Sequence, residues 1–97
     1  MISEIARKLQ DAICDRYPDW LSHEKTERDG DHEYLVWRIP TPRRGPNGTL
    51  TISTFDDEIT ISWETSHDHF GYLGEPVQEA IEAALALAER VQWGEEP

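Results

Sequence analysis

Apolar residues recur at helical spacing at both ends of the chain and alternate with polar ones in between. Ile2, Ile5, Ala6, Leu9, Ala12 and Ile13 fall three or four apart, with Arg7, Lys8, Asp11 and Asp15 outside the stripe. This predicts a first helix, capped by Ser3 and stopped near Tyr17 by Pro18. Val77, Ala80, Ile81, Ala84, Leu85, Ala88 and Val91 form an unbroken second stripe behind Pro76, a proline suited to a first helical turn. This helix is expected to end near Trp93-Gly94. Between the two, Glu33–Ile39 is rich in aromatic and β-branched residues, and Thr49–Phe55 alternates with Leu50 and Ile52 on one face. Glu58–Thr65 alternates too, with Ile59, Ile61 and Trp63 opposite Glu58, Thr60, Ser62 and Glu64. Trp20–Glu27 reads as a further, more polar extended segment.

The connections carry turn chemistry. Arg28-Asp29-Gly30-Asp31 and Asp56-Asp57 are turn signals. Pro40–Gly48 holds three prolines, which remove backbone donors, so it reads as a loop. Ser66–Gly74 also reads as a loop. The predicted order is α-β-β-β-β-α, an α+β fold in which a four-stranded antiparallel sheet is flanked by the N- and C-terminal helices. One buried and one wet face per strand is the antiparallel signature, and the helix stripes require the apolar face as their partner. The 97 residues form one domain, 1–97.

Charge changes this picture from a fold to a candidate surface. Nine Lys and Arg against 20 Asp and Glu leave a net charge of −11. From Gly45 to Glu89 there is no Lys or Arg, while nine carboxylates occur. Such a stretch opposes its own compaction. Glu75, Glu79, Glu82 and Glu89 line up on the far flank of the second helix, with small Ala83 and Ala86 between them. No Lys stands at i+4 to any of them, so neighbouring pairs repel. The plain reading is a solvated face that maintains solubility. The functional reading is a docking surface for a cationic partner.

The same charge disfavours other classes. Nucleic-acid binding needs clustered cations, and Arg43-Arg44 is the nearest approach. An anionic membrane surface is disfavoured likewise, and no apolar run approaches a span or a signal segment, so a cytoplasmic setting is expected. Cys14 is the one cysteine and is expected to be a small buried residue, not a nucleophile. His67 and His69 form a His-x-His pair beside Asp68, but the third and fourth ligands of a zinc site are missing from the pattern. We expect no metal and no cofactor. Instead, His67, His69 and Phe70 are expected to be structural loop residues that bond local backbone and plug the sheet edge. No catalytic motif is present, so the chain reads as a binder and not an enzyme.

The Trp63 strand, the Ser66-His67-Asp68-His69-Phe70 element, the glycine-bearing loop and the acidic Glu79-Ala-Ile-Glu-Ala-Ala-Leu85 helix resemble small immunity proteins of bacterial polymorphic toxin systems. Members of that group often carry His-x-His-Phe between the last strand and the C-terminal helix, and Asp56–Ile61 is similar to their preceding hairpin. The resemblance spans residues 49–91 or so. It implies a cytoplasmic antidote that binds a toxin domain and blocks it. A basic partner, such as a nuclease that attracts phosphate, would suit the charge. The expected contact residues are Asp56, Asp57, Glu58, Glu64, Asp68, Glu79, Glu82 and Glu89, with Tyr72 and Trp93 as aromatic anchors. Trp37 and Trp63 are expected in the core. A DNA-mimicking inhibitor of a host nuclease, encoded by a phage or mobile element, would use the same charge.

Overall fold

Ser3 accepts the Ala6 N–H on its side-chain oxygen at 3.2 Å and so starts the first helix, α1, over Glu4–Arg16. The structure is a computed structural model that describes residues 3–41, 48–55, 58–64, 66–71 and 76–94. The expectations for Ile2, Arg43, Arg44, Asp56, Asp57, Tyr72, Glu75 and the Glu95-Glu96-Pro97 tail lie outside these residues. Among the described residues five strands follow α1: β1 Glu24–Asp29, β2 His32–Pro40, β3 Thr49–Ser53, β4 Ile59–Trp63 and β5 Ser66–Phe70. The last element is α2, Val77–Gln92. Pro76 is its N-cap, and the Pro76 carbonyl accepts the Ala80 N–H at 3.0 Å.

The sheet is an antiparallel meander in the order β1-β2-β3-β4-β5. The α+β class and the two flanking helices match the sequence reading, but among the described residues the strands number five. Two expectations about the strands change. Residues Pro18–His23 are a 3-10 helix, so only the second half of Trp20–Glu27 is a strand. The turn buries Trp20 and stacks it on Tyr17, with ring centroids 4.2 Å apart. Ser66–Phe70 is a strand, not a loop, so His67, His69 and Phe70 are sheet residues. The turn between β4 and β5 spans two residues, with Trp63 opposite Ser66. Glu64 within it takes φ 49°, the left-handed region required by the favoured two-residue hairpin turns.

Register fixes the two faces. Leu35, Trp37, Ile39, Leu50, Ile52, Ile59, Ile61 and Trp63 point to one side and are buried. Both helices cover this side. They add Ile5, Ala6, Leu9 and Ile13 from α1 and seven residues of α2, including Ile81, Leu85 and Val91. Nearly all of these join one hydrophobic cluster. Burying a Leu- or Ile-sized side chain is worth about 1.5–3 kcal/mol, so this layer carries the fold. Trp37 and Trp63 lie in the core as expected. Cys14 is exposed on α1, which corrects its expected burial: it falls one position beyond the apolar stripe that ends at Ile13.

Candidate functional site

The stripe that anchors α2 dictates where its carboxylates go. With Ala80, Ile81, Ala84, Leu85, Leu87, Ala88 and Val91 buried, Glu79, Glu82 and Glu89 can only face outward. All three are exposed, as are Ala83 and Ala86 between them. Trp93, just past the helix end, is 52% exposed. From Glu79 to Glu89 the flank runs ~15 Å at ~1.5 Å per residue.

This flank is not a bare acidic ridge. The end of α1 reaches across to it. Arg16 forms an ion pair with Glu82, whose Oε1 also accepts from Gln78 Nε2 at 2.9 Å. Tyr17 donates its hydroxyl to Glu89 Oε2 at 2.7 Å. The Arg16 hydrogen bond holds the Glu82 carboxyl below the usual carboxylate range. Burial, followed by the Glu89 contact, pushes the Tyr17 hydroxyl up to about 12. The self-repulsion expected from the absence of an i+4 Lys is thus offset by a cation from another helix. No local spacing rule reveals it, because Arg16 and Glu82 are 66 positions apart. The sequence signal for it is a basic residue, Arg16, that closes α1 three positions after its stripe ends at Ile13. Each clasped carboxylate keeps one oxygen outside these bonds, Oε2 of Glu82 and Oε1 of Glu89. An open groove of about 400 Å³ between the helices is lined by Lys8, Asp11, Ala12, Asp15, Arg16 and Gln78.

The other sequence-predicted acids are elsewhere. Glu58, just before β4, lies against His69 on the sheet face opposite the helices, and Glu64 lies in the β4–β5 turn. Asp68 pairs in register with Ile61, which places it on the helix side at the β5 edge. The described acids therefore do not form one shared patch; the sheet separates Glu58 from the α2 flank. On the outer face Thr51, Ser53, Thr60 and Ser62 form a block of hydroxyl-bearing side chains. Glu27 binds Arg38 through two 3.1 Å contacts, and that pairing draws the Glu27 carboxyl down. Thr49, Thr51, Ser62, Trp63 and Glu64 line a shallow depression of about 280 Å³.

His67 and His69 also point to this outer face, opposite Ser62 and Thr60. Their rings meet edge to face at 5.0 Å. His69 Nδ1 is 2.8 Å from Glu58 Oε1 and 3.0 Å from Thr60 Oγ1. Facing a carboxylate, that nitrogen carries the proton. His69 therefore bridges strand side chains, and the expected bonding of loop backbone is replaced by cross-strand pairing. Asp68 Oδ1 accepts the His69 N–H at 2.9 Å. Among the described residues no three His, Cys, Asp or Glu side chains converge as metal ligands. No described helix is long and apolar enough to cross a membrane. No protein-family model matches the chain, and neither a curated protein nor a solved structure shows significant similarity to it.

Proposed function

We propose that this chain is a cytoplasmic antidote of the immunity-protein kind, which binds a basic toxin domain through the outward flank of α2 and blocks it. The observation that carries the reading is the preorganisation of that flank. Glu79, Glu82 and Glu89 stand on a helix whose opposite side is buried in the core. Arg16 and Tyr17 hold two of them in place, and one oxygen of each lies outside these bonds. Carboxylates fixed before encounter lose little rotamer freedom on binding, which is a general source of affinity. Exposed Trp93 adjoins them and supplies the kind of aromatic anchor enriched at interface hot spots. Glu58 and Glu64 are not part of this surface in the present reading. A basic toxin, such as a nuclease, would meet carboxylates where it otherwise meets phosphates.

The test avoids the native bonds. Ala83→Lys and Ala86→Lys place cations at i+4 from Glu79 and Glu82, so the flank is neutralised with no residue of the Arg16 and Tyr17 clasps replaced. The partner captured from the native host is expressed alone and together with either form of this chain. We expect the partner to be toxic alone, wild type to rescue growth and the A83K/A86K variant to fail. A non-toxic partner, or equal rescue by both forms, contradicts the reading.

A further inference from the structure

The two edges of the sheet are built differently. β1 carries Glu24, Lys25, Glu27, Arg28 and Asp29 in six residues, a charge density that discourages pairing by another strand. β5 reads Ser-His-Asp-His-Phe, with no Lys, Arg or Pro, and Ser66, His67 and Asp68 are exposed. Among the described residues no further strand lies beyond it. In an antiparallel ladder alternate residues turn their amides to the neighbour and the others turn away. The His69 N–H turns to Asp68 Oδ1, its own neighbour's carboxylate, so it belongs to the outward set. His67, two positions earlier, belongs to the same set.

We propose that the β5 edge receives a cationic extended segment of a partner protein as a sixth strand. Asp68 then has two states. In the free protein its carboxylate satisfies the outward His69 amide. In the complex a carbonyl of the incoming strand takes that amide, and the released carboxylate pairs with a Lys or Arg opposite it. Glu58, beside His69 on the other face, adds to the negative field at this edge. The same arrangement disfavours a second copy, because antiparallel pairing of β5 with itself about Asp68 sets like charges face to face. The inference concerns a different surface from the α2 flank and stands without it.

The probe is the acetylated, amidated heptapeptide Lys-Val-Lys-Val-Lys-Val-Lys, with the Glu-for-Lys heptapeptide as its counterpart. Titration into the isotope-labelled full chain is followed by amide shifts. Saturable shifts centred on 66–70 are expected with the Lys peptide and none with the Glu peptide. His67→Pro removes an outward amide that β4 does not use, and should weaken binding at least about fivefold, the fold-change of one lost backbone hydrogen bond. If H67P fails to fold, Asp68→Lys decides the matter: it should reverse the preference between the two peptides. A83K/A86K should bind the Lys peptide as wild type does, which separates this result from the antidote test. No shift in β5 at millimolar peptide, equal binding of both peptides, or undiminished binding by folded H67P overturns the proposal.

Discussion

Replacing Tyr17 by Phe removes one oxygen from the clasp between the helices and leaves the ring stacked on Trp20. The hydroxyl donates to Glu89 at 2.7 Å, and its pKa is pushed from the ordinary 10.0 up to about 12. At full weight that raise corresponds to roughly 2.7 kcal/mol between the two protonation states. The contact faces solvent, which screens it, so about 1 kcal/mol is the expected cost of the substitution. For a chain of this size that is a fall in Tm of about 5 °C. The sign with pH follows from linkage. The unfolded phenol loses its proton as pH rises through 10, and the folded one holds it to about 12. Stabilisation is therefore full below about pH 10 and is lost between there and about pH 12. Urea unfolding of wild type and Y17F at about pH 8 and about pH 11 measures it, since other titrating groups cancel in the difference. The gap should shrink at the higher pH. A gap absent at about pH 8, or undiminished at about pH 11, refutes the reasoning.

Other substitutions probe the strand that the sequence pattern concealed. Glu64→Gly relieves a left-handed residue at φ 49° and should raise stability by up to about 1 kcal/mol in urea unfolding. Gly71→Ala should cost about 2 kcal/mol in the same assay. Its φ of +87° is strained for alanine, and the new Cβ would come within 3.1 Å of Ile5 Cδ1. His67→Ala, at an exposed position, should change stability by less than about 0.5 kcal/mol, while His69→Ala loses its Glu58 and Thr60 contacts and should cost about 1 kcal/mol.

The elements with strong periodicity were legible. Both helices appear where the stripes from Ile5 and Val77 place them, β2 covers the run rich in aromatic and β-branched residues, and β3 and β4 follow their alternation. β5 was not legible because it has one large apolar residue, Phe70, and because the turn before it lacks the Asn-Gly or Asp-Gly signal of a two-residue hairpin. Its pairing comes from β4, a tertiary cause. Trp20 misled for a related reason: its burial comes from stacking on Tyr17 in a 3-10 turn, which has no period to read. For the site, the outward placement of Glu79, Glu82 and Glu89 followed from helical spacing alone. The wet-face position of Glu58 followed from strand alternation, whereas the Arg16 and Tyr17 clasps depend on how the two helices meet, which linear spacing does not encode.

Affinity as a function of salt tests most directly whether the α2 flank meets a cationic surface, as proposed. With the captured partner, calorimetry across a salt series should give wild type a steep loss of affinity as salt rises, and A83K/A86K both a weaker affinity and a shallower slope. Identical affinities and slopes for the two forms, with unchanged melting temperatures, would contradict the account.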